Sequence, residues 1–137
     1  MRIPTAAGRR GAAVAEMAIL LPFVAFLFLV AVDFCRVFYS TQTVQGCAEA
    51  GALYASGTAP CPSTTTPTDA AKVAAVAEGT LLNPALTADN VDVSYSGNVA
   101  TVTVSYNFEM LTGFLALPQT LKLVRSTQMT VVPKVGE

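Results

Sequence analysis

Between Met17 and Val32 the chain carries no charged residue. Small and apolar positions then continue at Val37, Thr41, Val44, Ala48, Gly51 and Ala55. Their spacing alternates between four and three, which is one stripe of a helix. The pattern predicts a single long helix over 12–56, half of it uniformly apolar and half of it one-sided. Pro22 stands inside it and removes one backbone donor, a defect that membrane helices tolerate. Gly46, Ala48, Gly51 and Ala52 keep the stripe thin, so a neighbouring element can approach closely.

The rest of the chain changes period. Residues 57–68 are rich in Thr, Pro and Ser and read as a loop. A second helix is expected over 69–82, with Thr68 as its cap and Val73, Val76, Ala77 and Leu81 sharing a face. Val91, Val93 and Tyr95 alternate with polar residues, Ser96-Gly97-Asn98 turns the chain, and Ala100, Val102, Val104, Tyr106 and Phe108 alternate again. This is a hairpin with one apolar face. A third strand runs from Leu121 to Val132, and its alternation slips at Val124-Arg125, which predicts a bulge. The expected fold is α+β: a long N-terminal transmembrane and spine helix packed on a small three-stranded antiparallel sheet, with one additional short helix. The expected division is a cytoplasmic leader (1–11), a transmembrane helix (12–34) and an extracytoplasmic domain (35–137).

The run from Ala12 to Val32, through Ala18 and Pro22, has the ~20 residues that a spanning helix needs. A cleaved secretory signal would be followed by a polar, small-residue site, whereas Asp33-Phe34-Cys35-Arg36 follows here. The same residues spoil a lipoprotein signal, and Arg9-Arg10 lacks the usual surroundings of a twin-arginine signal. The segment is therefore read as an anchor. Arg2, Arg9 and Arg10 place the N-terminus in the cytoplasm and the domain outside it. Glu16 at the mouth of the run is expensive, costing roughly 2.5–3.5 kcal/mol on insertion scales. Cleavage after Gly11 would supply a partner, a new α-amine on Ala12, four residues before Glu16.

Gly11 followed by four residues and Glu16 resembles the processing signal of type IV pilins and pseudopilins. The wider stretch from Arg10 to Pro22, with the later Val32-Asp33-Phe34-Cys35-Arg36-Val37-Phe38-Tyr39, resembles the TadE-like family of tight-adherence (Flp) pilus proteins. Met17 stands where that family usually has an aromatic, and Asp33 where it often has Glu. The resemblance implies a pseudopilin or minor pilin, cut by a prepilin peptidase and working with other pilins and the Tad secretion machinery at the inner membrane. The alternative is an uncleaved, single-pass anchored binding domain.

Composition narrows the chemistry. With no histidine, a net charge of −1 and 12% charged residues, the chain has neither a basic face for nucleic acid nor a His-based catalytic or metal site. No nucleophile–base pair or phosphate-cradling loop is visible, so neither enzyme activity, small-molecule substrate, metal nor cofactor is expected. Asp92-Val93-Ser94-Tyr95-Ser96 matches the pattern of a metal-dependent adhesion site, but it falls inside an alternating hairpin and is read as strand. Asp33 and Arg36, three apart, pair on one helix face, either marking the membrane exit or packing between subunits. Cys47 and Cys61 are candidates for a disulfide worth roughly 3 kcal/mol, the alternative being two buried thiols. Cys35 is the odd one out. The apolar connection around Phe114 and Leu115 reads either as a flap on the core or as a contact with a neighbouring subunit or the bilayer surface.

Overall fold

The computed structural model describes residues 7–60, 64–111 and 119–132, with residues 7–10 as backbone only. Helix α1 runs from Ala7 to Ala55, about 73 Å at 1.5 Å per residue. It passes Pro22 without ending. It stops where Gly57 takes φ 76°, a left-handed conformation that a Cβ would oppose. The helix begins before the expected residue 12, so the leader is helical at least from Ala7.

Helix α2 spans Pro67–Glu78 and continues as a 3₁₀ turn over Gly79–Leu81. Its cap is Thr66, not Thr68: the Thr66 hydroxyl oxygen accepts from the Asp69 N–H at 3.1 Å. Pro67 then occupies the first helical position, where its missing N–H costs nothing. The buried face is not the one that Val73, Val76, Ala77 and Leu81 share. Ala70, Ala71 and Ala75 are inside, while Val73 and Leu81 are exposed and Val76 only lines the core. Helix α2 lies so close to α1 that only alanines fit between them.

The sheet is a meander of β1 (Val91–Ser96), β2 (Val99–Glu109) and β3 (Thr120–Thr130), antiparallel throughout, with β2 central. The tight turn between β1 and β2 uses Gly97 at φ 56°. Ala100, Val102, Val104, Tyr106 and Phe108 all point to the helices and are buried. Threonines and serines cover the other face. The expected bulge in β3 is absent: pairing runs without a break from Val99↔Thr130 to Glu109↔Thr120. Arg125 pairs with Val104 and Val124 with Ser105, so Arg125 is on the helix side and Val124 on the outside. The strand keeps its period, and the edge position lets it carry an arginine where an interior strand would need an apolar residue.

The core is thin. From α1 it takes Val44, Cys47, Ala48, Ala52 and Ala55, from α2 Ala71 and Ala75, with Leu82 and Leu86 from the following loop. The far end of α1 is clasped by the sheet. The Tyr95 hydroxyl donates to the Ala55 carbonyl at 3.3 Å, and the Val132 N–H to the Ser56 carbonyl at 2.9 Å. These bonds satisfy carbonyls that a helix end leaves without partners.

Candidate functional site

Three features of α1 form the site: the apolar segment, its entrance and its exit. From Gly11 to Ala31 the residues are exposed, apart from a half-buried Phe26. The apolar side chains here include Met17, Ile19, Leu21, Phe23 and Phe28. In water this surface would drive aggregation, but in lipid it is matched. It is long and apolar enough to cross a membrane, and it is the one such helix among the described residues. Ala18, Pro22 and Val32 lie within α1. This one long apolar helix near the N-terminus points to a single-pass membrane anchor.

At the entrance, Gly11 has open space around it and Glu16 is exposed. Ala12 and Glu16 are one helical turn apart, so they share a face. The Gly11–Ala12 peptide bond is inside the helix, directly after its first turn.

The exit is more elaborate than its sequence spacing implies. Asp33 is 5% exposed. Its Oδ1 accepts from Arg36 Nη1 at 3.3 Å and from the Leu111 backbone N–H at 3.1 Å. The Arg36 guanidinium in turn stands 5.0 Å from the Phe108 ring centroid, a cation–π contact worth about 0.5–1 kcal/mol when exposed. The pair therefore locks the end of β2 to the helix just where the apolar segment finishes. Leu111 contributes only a main-chain group, which no residue pattern could have marked. Phe108 was legible as a core position of the hairpin, but not as the partner of Arg36.

Cys35 is exposed and Cys47 is buried. Burial, and then the Glu78 carboxylate, push the Cys47 thiol up to about 11 from its usual 9. The neutral thiol is thus favoured by folding. Its contribution is present below pH ~9 and lost as the pH rises toward 11. In the reduced, folded protein a maleimide at pH 8 is expected to label Cys35 and to reach Cys47 only after denaturation; labelling of Cys47 at the same rate as Cys35 would contradict its burial. Cys61, Phe114 and Leu115 lie outside the described residues. Asp92, Ser94 and Ser96 are on the exposed face of β1.

Comparison with protein families matches residues 11–53 to the model described as TadE-like protein. Helix α1 is similar to the TadE-like family. The TadE-like stretch starts at Gly11 and ends two residues before the helix terminus, so it holds the entrance, the apolar segment and Asp33-Arg36 but none of the sheet. It points to the Tad pilus system, whose TadE-like members are pilus components. No curated protein and no solved structure matches the chain.

Proposed function

We propose that this chain is a pseudopilin or minor pilin of a tight-adherence pilus, cut after Gly11 by a prepilin peptidase. The observation that carries the reading is that the TadE-like match opens at Gly11, with Glu16 exposed on the anchor one turn beyond Ala12. Hydrolysis of the Gly11–Ala12 bond would leave a carboxylate on the leader and an ammonium on Ala12. Glu16 then has a counter-charge in low dielectric, its own or a neighbouring subunit's, which offsets part of the cost of burying both. Such a pair favours anchors aligned in register. Other pilins and the Tad secretion machinery are the partners this implies, at the inner membrane with the N-terminus inside.

Intact mass and N-terminal sequencing of protein from its native host test the reading. The mature chain is expected to begin at Ala12, and Gly11→Arg to leave the full-length chain in the membrane. Glu16→Ala is expected to be cut but to be depleted from assembled material. A wild-type chain that begins at Met1 in cells holding the peptidase would refute the processing step. The second reading, an uncleaved anchored binding domain, is supported by α1 running unbroken through Gly11 to Ala7.

A further inference from the structure

Beyond the anchor, a group of exposed apolar side chains gathers at one level of the molecule. Phe34 is 72% exposed, Phe38 60% and Tyr39 53%, all on α1 just past Val32. Leu111, 62% exposed, follows β2, and its N–H bond to Asp33 fixes it at the same height. Leu81, 75% exposed, ends the 3₁₀ turn after α2 and lines a cleft with Cys35, Arg36 and Tyr39. Three separate elements thus present large apolar groups at the base of the domain.

We infer that this collar seats the domain on the lipid surface, with its side chains in the headgroup layer. The inference rests on the reading of α1 as a membrane anchor. The collar continues the apolar surface of the anchor without an intervening exposed carboxylate on α1: Asp33 is buried, and the next acidic residue on the helix is Glu49. From Val14 to Tyr39 the helix advances about 38 Å, more than the ~30 Å hydrocarbon core and less than the ~40–45 Å of a whole bilayer. The last turn and a half therefore falls in the interfacial layer, where amphipathic aromatics are enriched.

A second copy of the chain is the competing occupant. Helix pairing calls for a stripe that climbs the helix, but here the exposed face turns polar above Tyr39, at Gln42 and Glu49, with Leu53 standing apart. An apolar surface that ends at one height across three elements fits a plane better than it fits another helix. Glu109, beside the collar, is on the outer face of the sheet and can stay in water.

The chain contains no tryptophan, so single tryptophans report depth cleanly. Full-length Phe28→Trp, Phe38→Trp, Leu81→Trp, Leu111→Trp and Leu53→Trp would each be reconstituted in phosphatidylcholine vesicles carrying bromine on the acyl chains. All five sites are exposed, so the fold tolerates the change. Quenching at positions 28, 38, 81 and 111 several-fold stronger than at 53 is the expected result. Quenching at 28 with 81 and 111 no different from 53 would overturn the collar while leaving the anchor. No quenching at 28 would overturn the anchor itself. Blue-shifted but unquenched emission at 81 and 111 that reddens on dilution with lipid would overturn the collar in favour of a second copy.

Discussion

Gly51→Val is expected to destabilise the extramembrane domain by roughly 3 kcal/mol, whereas Gly51→Ala should cost about 1 kcal/mol or less. A Cβ at Gly51 would lie 3.0 Å from Val102 Cγ1, 3.2 Å from the Ala71 carbonyl oxygen and 3.5 Å from Ala75 Cβ. Val102 can yield by a few tenths of an ångström. The Ala71 oxygen belongs to the backbone of α2 and cannot turn away. For alanine, the strain is partly offset by a helix propensity about 1 kcal/mol better than that of glycine. Valine adds two more carbons in a space that already lacks room for one, and the sheet and α2 must separate from α1 to admit them. Thermal melts of the full chain in detergent should show Gly51→Val lower by ~10 °C or more, at the usual 4–8 °C per kcal/mol for a domain of this size. Equal melting of Gly51→Val and the wild type would mean that the two helices are not in contact there.

Asp33→Ala should be the most damaging change at the end of the apolar segment, at roughly 2 kcal/mol. It deprives the Leu111 N–H of its acceptor in a partly buried place and takes from Arg36 the carboxylate it pairs with. The Arg36 side chain is 38% exposed, so water recovers part of its solvation and the ionic share is small. Asp33→Asn keeps an oxygen for the Leu111 N–H and should cost about half as much. Arg36→Ala loses the contact with Phe108 and should cost about 1 kcal/mol. Amide hydrogen exchange gives a local readout: the Leu111 amide should be protected in the wild type and in Asp33→Asn, and should exchange faster in Asp33→Ala. Unchanged protection in Asp33→Ala would show that the carboxylate does not hold the end of β2.

These two sites show how far a linear reading reaches. The stripe from Val37 to Ala55 is the face that α1 buries, and the thinness of that stripe around Gly51 is where α2 and the sheet press in. The hairpin and its register follow from period-two alternation, because a one-residue slip would expose Val102 and Val104. The bulge in β3 was inferred from the order Val124-Arg125, but the side chains alone carry that irregularity, and the backbone pairs straight through it. In α2 the larger residues Val73, Val76 and Leu81 share a face by spacing, but spacing does not say which face is inside. The structure puts alanines there because the distance to α1, and not hydrophobicity by itself, decides which side chains fit.

The local chemistry of the chain determined the apolar helix, the alternating strands, the turn at Gly97 and the Gly11–Glu16 spacing, which lies within the TadE-like match. Each of these depends on neighbours within a few residues, so the order of side chains is enough to specify it. Only the folded chain decided that Asp33 would meet the Leu111 N–H, that Arg36 would lie over Phe108, and that Leu81 would stand beside Tyr39. Those groups are far apart along the chain, and one of them is a main-chain amide present at almost every residue. What brings them together is the height at which the sheet and α2 dock on the spine helix, which close packing around Gly51 sets.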